Sequence, residues 1–384
     1  MKKTKGFGLL GIIIIIIITA IVSSVATGVI VLNSQTISGS NGKYITNDEE
    51  LNNFIEIYNT IVSRYYDEID REKMLEAAEE GMLNYLGDKY TTFLEGNEYE
   101  SLMGELSETY RGIGIAIANN IIVGVTEDSP ASIAGLKVND VLIKINNTLV
   151  TDKSNEEISD LIKKSQNLVK ITIDRNGEEK NFEVEIKELI NPSVYFEKIN
   201  NTEIGYLQIT KFSDNLHTYV KNALDNLEAE NINSLIIDVR SNVGGYLGEA
   251  EKTAELFLEK GKVIYSLETS SGKTVYKDQT KEKRNYEIMV LINETSASAS
   301  EVLAAALKES YGATLLGSRS YGKGKVQQII ASSAKYTFAK WLTPNNVCID
   351  GIGIMPDYMI INSAEDVVNN YDRQLNKAIE LLNK

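Results

Sequence analysis

Ser298 lies within Glu294-Thr-Ser-Ala-Ser-Ala-Ser-Glu301, and Lys323 follows within Tyr321-Gly-Lys-Gly324. A serine hydroxyl becomes a nucleophile only when a neighbouring base takes its proton. Histidine is the usual base, and this chain has a single one, His217. A lysine held neutral in a dry site is the other known base, which requires enough desolvation to bring its pKa towards neutrality. Other readings compete. Ser298 and Glu301 have the spacing of a capping box, Ser at the N-cap and Glu at N3, a role compatible with catalysis. Gly317-Ser-Arg-Ser-Tyr-Gly-Lys323 has P-loop spacing. Gly324, however, stands where Ser or Thr would bind Mg²⁺, and the residues that follow read as a strand rather than a helix. A third segment, Asp238-Val-Arg-Ser-Asn-Val-Gly-Gly245, ends an apolar strand in a Gly-Gly turn. Such a turn brings backbone N–H groups close to a substrate carbonyl, or is a mere turn before the next helix.

The elements that must position these residues follow from periodicity. Leu51, Phe54, Ile55, Tyr58, Ile61 and Val62 recur at helical spacing, and Asp70 opens a second helix, so 47–106 reads as a helical segment. From Gly112 the pattern becomes β, with strands over 112–117 and 121–125. A short helix over 129–136 has Pro near its start and Gly near its end. A turn and strand within 138–147, a helix over 156–164 and a hairpin around Asn176-Gly177 follow. From Ile204 strands alternate with helices: strands at 205–209, 234–239, 287–293, 314–317 and 326–330, and helices at 215–228, 248–258 and 301–310. That alternation predicts a sheet layered with helices. A last helix is expected over 366–382.

The formal net charge is −15, which argues against a nucleic-acid partner. A lone Cys348 and one histidine leave no disulfide and no Cys/His zinc set, so no metal or other cofactor is expected. Lys2, Lys3 and Lys5 precede an uncharged, largely apolar run from Phe7 to Leu32. At about 1.5 Å per residue it is long enough for a bilayer core of about 30 Å. The lysines predict an N-terminus inside and the rest of the chain outside the cytoplasmic membrane. The run continues past a possible cleavage point after Ala26, which favours a retained signal-anchor over a cleaved signal peptide that would release the protein.

Ser129-Pro-Ala-Ser-Ile-Ala-Gly-Leu-Lys-Val-Asn-Asp-Val-Leu-Ile-Lys-Ile-Asn-Asn147 resembles the PDZ signature, with Asn139 where Gly is usual. The resemblance implies a carboxylate-binding loop at Tyr110, Arg111, Gly112, Ile113, Gly114 and Ile115, beside a strand edge that pairs with a peptide. Nearly all of the chain beyond the membrane segment resembles the carboxy-terminal processing peptidases, the tail-specific serine proteases of family S41. Tyr85-Leu-Gly-Asp-Lys-Tyr-Thr-Thr-Phe-Leu94 is similar to their LDPYSxFL motif, with Gly87 and Lys89 departing from it. The Asp238–Gly245 segment is similar to DLRxNPGG, with Val243 for Pro. The Ser298 and Lys323 segments and Leu342-Thr-Pro-Asn-Asn-Val-Cys-Ile-Asp-Gly-Ile-Gly-Ile-Met-Pro-Asp357 match the remaining motifs. The resemblance implies Ser298 as nucleophile, Lys323 as general base and Gln327 as the residue that orients the lysine. The oxyanion hole would be the N–H of Ala299 with one from Gly244-Gly245.

The expected architecture is a multidomain α/β (α+β) protein. It comprises a signal-anchor (1–32), a linker (33–46), a helical segment (47–106), a PDZ domain (107–190), a crotonase-like protease core (191–363) and a C-terminal helix (364–384). The expected activity is that of a membrane-anchored, extracytoplasmic endopeptidase. It would act on proteins with apolar C-terminal tails, gated by the PDZ domain, with a homodimer as a possible assembly. The alternatives are a PDZ peptide-binding scaffold with a silent core and, lower, acyl-CoA chemistry on the crotonase-like core.

Overall fold

The computed structural model describes residues 37–38, 44–45 and 48–384, except 97, 282, 332, 370 and 384. The expected signal-anchor lies outside the described residues, as does most of the linker. The four described linker residues form a two-stranded pairing, Ile37–Ser38 with Tyr44–Ile45. Among the described residues no helix is long and apolar enough to cross a membrane.

The chain divides into two compact units, Met1–Glu79 and Glu80–Lys384. In the first, the helix Glu49–Arg64 starts at Asp48, whose carboxylate accepts from the Leu51 N–H at 3.0 Å. None of its side chains is buried. Leu51, Phe54, Ile57 and Ile61 are exposed.

The second unit holds two separate cores. One is built from Ile113 to Ile186 around Ile122, Leu142, Ile145, Ile158, Ile171 and Val184. Its sheet runs in the order Glu178–Glu185, Leu168–Arg175, Val141–Ile145, Ile121–Val125, Ile115–Ala118, so Ile115–Ala118 is an edge strand. Pro130 begins the short helix Pro130–Ala134, and Gly135 ends it in the left-handed region. Asn139 has φ 73°, a conformation that Asn tolerates better than other side chains, so it can replace Gly there. The Asn176-Gly177 pair, both at positive φ, closes the expected hairpin. A ribbon of Thr109–Gly112 paired with Lys187–Ile190 carries the chain into and out of this domain.

The other core surrounds a sheet in the order Val194–Lys198, Ile204–Ile209, Ser234–Asp238, Glu287–Ile292, Thr314–Gly317, Tyr358–Met359. All neighbours are parallel except the first pair. Ser234–Asp238 is buried throughout because both faces are covered. Leu235 and Ile237 join a cluster with the helices Leu216–Ala229, Leu247–Glu255 and Ala299–Ala306. Ile236 packs with Ala378 and Leu381 of the C-terminal helix. That helix is Arg373–Leu382, preceded by a separate short helix Ala364–Val368, so the single expected helix over 366–382 is two. Asp372 caps the second one through the Leu375 N–H.

A second sheet, of which the sequence reading had only the strand 326–330, runs Gly272–Lys277, Val263–Thr269, Ala334–Leu342, Lys325–Ile330. The strand Thr92–Phe93 adds to it at Ala334 and Lys335, so residues 92–93 leave the expected helical segment for a strand.

Candidate active site

Ser298 follows the buried strand Glu287–Ile292 and stands at the N-terminus of the helix Ala299–Ala306, at φ 56° and ψ −116°. A non-glycine residue there is strained and is held only by its surroundings. The two neighbouring serines supply that hold. Ser296 Oγ donates to the Val239 carbonyl and Ser300 Oγ to the Asn242 carbonyl, each at 2.8 Å. Asn242 O also accepts from the Ala297 N–H at 3.0 Å. Two of the three serines in Ser-Ala-Ser-Ala-Ser therefore fasten the loop to the Asp238–Gly245 turn, and the middle one opens onto a cavity.

Glu301 is fully buried. Its carboxylate accepts from the Ser298 N–H (2.9 Å), the Lys323 N–H (2.9 Å), the Gly322 N–H (2.7 Å) and the Ser320 hydroxyl (2.5 Å). Ser298 is the N-cap and Glu301 the N3, and Glu301 makes its half of a capping box through the Ser298 N–H. The Glu301 N–H, however, donates to the Ser298 carbonyl, and Ser298 Oγ makes no cap hydrogen bond, so the cap reading holds only for the Glu301 half. The same carboxylate also ties the backbone of residue 298 to that of residue 323.

The Gly-Gly turn lies against this helix start. A Cβ on Gly244, which has φ 107°, would come within 2.8 Å of the Ala297 carbonyl oxygen and 2.9 Å of Ser298 Cβ. Only glycine fits. The Gly244 N–H is not open, since it donates to Asn242 Oδ1 at 2.9 Å. Among the described residues nothing accepts from the N–H groups of Gly245 and Ala299, which leaves these as the donors for an oxyanion. Upstream, Arg240 Nη2 bonds both Asp238 (2.6 Å) and Asp372 (2.7 Å), and Arg240 Nη1 reaches Gln374 at 2.9 Å. The C-terminal helix thereby anchors the strand end from which the turn departs.

Lys323 is carried on a strap pressed against residues 349–353. A Cβ on Gly322 would meet the Gly353 nitrogen at 2.7 Å. The Gly351 N–H donates to the Gly322 carbonyl, and Trp341 Nε1 donates to the Lys323 carbonyl at 2.8 Å. The strand Lys325–Ile330 follows, which agrees with the rejection of a P-loop. Burial pushes the Lys323 ammonium below its ordinary range, and the Lys335 charge pushes it the same way. Only the Glu301 carboxylate opposes. The Lys323 ammonium stands 5.3 Å from the centre of the Tyr90 ring.

Ser298, Lys323, Gln327, Gly244 and Gly245 line one cavity of about 870 Å³, with Leu102, Met103, Val243, Val302, Val326 and Trp341 among its apolar walls. No hydrogen bond joins Ser298, Lys323 and Gln327 to one another among the described residues. Gln327 Nε2 donates instead to Thr337 Oγ1 at 3.1 Å. His217 is not in this cavity, and its ring pairs with Glu249 at 2.7 Å.

The description Peptidase family S41 matches residues 203–360, PDZ domain matches 98–186, and Activating protease CtpB N-terminal domain matches 18–97. The carboxy-terminal processing protease CtpA of Bacillus subtilis is 33% identical over 353 residues, covering 89% of this chain and 75% of that one. A probable CtpA-like serine protease of Staphylococcus aureus is 33% identical over 357 residues, covering 90% of this chain and 70% of that one. The chain belongs to the S41 carboxy-terminal processing proteases. It is a serine peptidase with a PDZ domain. The fold is also that of an S41 protease structure from Bacteroides fragilis, with a TM-score of 0.54, 14% identity, and coverage of 89% of this chain and 98% of that one.

The PDZ loop expected to receive a carboxylate is only partly open in this protease. Gly112, Ile113 and Gly114 are buried, and Ile113 belongs to the domain core. Arg111 is exposed but engages the Ser165 carbonyl at 3.1 Å and the Gln166 carbonyl. Tyr110 and Ile115 line a cavity of about 470 Å³ with Ala116, Gly124, Val125, Thr126 and Asn191. Several residues around the catalytic cavity escaped the sequence reading. Glu301 was read only as a cap, and Tyr90, Lys335, Thr337 and Trp341 were not singled out. The clearest missed signal is the strand-forming run Ala334–Leu342, in which Lys335 and Thr337 share a face and a bulge between Thr337 and Ala339 breaks the alternation.

Proposed function

We propose that this protease is a membrane-anchored, extracytoplasmic endopeptidase that cuts proteins near apolar C-terminal tails with a Ser298–Lys323 dyad, gated by its PDZ domain. The observation that carries the dyad is the convergence on one cavity of a strained Ser298, a desolvated Lys323 and the Gly244-Gly245 turn. Ser298 Oγ attacks the scissile carbonyl as its proton passes to the Lys323 amine. The Ala299 and Gly245 N–H groups bind the resulting oxyanion. Lys323 returns the proton to the leaving amine, which leaves an acyl-enzyme. Water then attacks, giving its proton to Lys323, and the serine is regenerated. The apolar walls suit an apolar side chain beside the scissile bond. The uncharged run 7–32 behind three lysines supports the anchor and the outward placement.

Ser298→Ala and Lys323→Ala are expected to lower the cleavage of a quenched-fluorescent Ala/Val/Leu peptide by on the order of 10⁴-fold or more. A fluorophosphonate probe should label wild type but not Ser298→Ala. Cleavage surviving either substitution in clean protein would sink the dyad. A probe that labels nothing while peptide still binds would favour the scaffold reading.

A further inference from the structure

Gln327 carries an amide whose two ends are chemical opposites, and the residues behind it decide which end meets the cavity. Thr337 Oγ1 touches both Gln327 Nε2, at 3.1 Å, and Asp88 Oδ2. Asp88 also accepts from Lys325 Nζ at 2.8 Å and from Thr91 Oγ1 at 2.9 Å. Burial alone would raise its carboxyl, but the bonds from Lys325, Thr337 and Thr91 outweigh burial and hold it at about 2. Asp88 is therefore ionised and can only accept. The single hydroxyl proton of Thr337 must go to Asp88, so Thr337 has only lone pairs left for Gln327. The Gln327 NH₂ group must face Thr337, and its carbonyl oxygen is directed away from it.

We propose that Asp88, acting through Thr337, is a positioning residue for the catalytic centre: it locks the Gln327 amide so that its oxygen is the end offered to Lys323. This rests on the Ser298–Lys323 reading. A neutral amine has two N–H bonds and one lone pair. Donating an N–H to Gln327 Oε1 turns the lone pair away from Gln327 and frees it for the serine proton. A flipped amide would present NH₂ to Lys323 and compete for that lone pair.

The scaffold around Asp88 is fastened to the strand that carries Thr337. The Thr337 N–H donates to Thr91 Oγ1 at 3.1 Å, and Thr92 and Phe93 pair with Lys335 and Ala334. The segment Asp88-Lys-Tyr-Thr91 thus acquires a role that its sequence alone did not reveal.

Asp88→Asn tests the relay, because an amide at position 88 can donate to Thr337 and release the threonine proton towards Gln327, allowing the flip. The expected result is a kcat lower by on the order of tenfold to hundredfold, the range that loss of a partner orienting a metal ligand costs, with KM for the same peptide within about twofold. In a Gln327→Ala background Asp88→Asn should cost nothing further. An undiminished kcat in Asp88→Asn, or an equal loss in both backgrounds, overturns the proposal. If Asp88→Asn fails to fold, Thr337 decides: Thr337→Ser should keep kcat and Thr337→Val lose it, whereas equal rates for the two overturn the relay. Failure of the dyad itself is distinguishable, since Ser298→Ala and Lys323→Ala would then remain active whatever Asp88 does.

Discussion

Ser298 in the protease core and Gly114 in the PDZ domain both sit at positive φ, 56° and 86°, at the places where each domain is expected to meet a peptide. Their surroundings differ. Around Ser298, Glu301 gathers four donors, Ser296 and Ser300 fasten the loop, and Gly244 presses on the serine. The network is dense, yet the Ser298 side chain is left facing a cavity. At Gly114 the backbone is closed in, since a Cβ there would meet Ser129 Cβ at 2.3 Å, and the neighbouring Arg111 is already engaged. A nucleophile in a strained conformation needs a framework that over-determines it. A peptide-binding edge needs only a strand with one side unpaired, and among the described residues Ile115–Ala118 pairs on one side alone. The two regions also pack separately, around different apolar clusters joined by a two-stranded ribbon.

The largest effect should come from breaking the framework at its centre. Glu301→Gln puts an amide NH₂ among four donors with no second acceptor. We expect a loss of about 3 kcal/mol in denaturant unfolding, together with loss of peptide cleavage. A variant as stable as wild type would remove Glu301 from the centre of the comparison.

The independence of the PDZ core is tested by Leu142→Ala, at a side chain with 0% exposure. The expected cost is about 2–5 kcal/mol, seen as an earlier unfolding step, while cleavage of a short peptide stays within about twofold. Loss of the short-peptide activity in step with that unfolding would show that the two cores do not behave separately.

The smallest effect sharpens the electrostatics of the catalytic cavity. Burial first and the Lys335 charge second depress the Lys323 pKa, so removing that charge raises it. A general base works deprotonated. In Lys335→Met the rise of kcat/KM with pH should therefore move to higher pH. An unmoved or downward-shifted profile would show that Lys335 does not help to keep Lys323 neutral.

Much of the site was legible because its segments are local. Ser298 with its flanking serines, Lys323 between glycines and the Gly-Gly turn each lie within a few consecutive residues, and the pattern of alternating strands and helices fixed the layers. The hairpin Val263–Lys277 was also within reach, since Val263-Ile-Tyr-Ser-Leu-Glu-Thr269 is rich in strand formers and precedes Ser-Ser-Gly272. Asp88 and Thr337 were not legible as partners, because 249 positions separate them and only the pairing of Thr92–Phe93 with Ala334–Leu342 brings them together.

The sequence by itself determined which groups are available: a serine able to serve as nucleophile, one lysine set between glycines, a turn with spare N–H groups and a PDZ-like signature. Periodicity and short motifs encode these because they depend on neighbours along the chain. Only the tertiary structure decided which of those groups are free. It committed the Gly244 N–H to Asn242, left those of Gly245 and Ala299 open, engaged Arg111, desolvated Lys323 and set Asp88 behind Thr337. Hydrogen-bond partners and burial are properties of contacts between distant segments, and no local pattern in the chain specifies them.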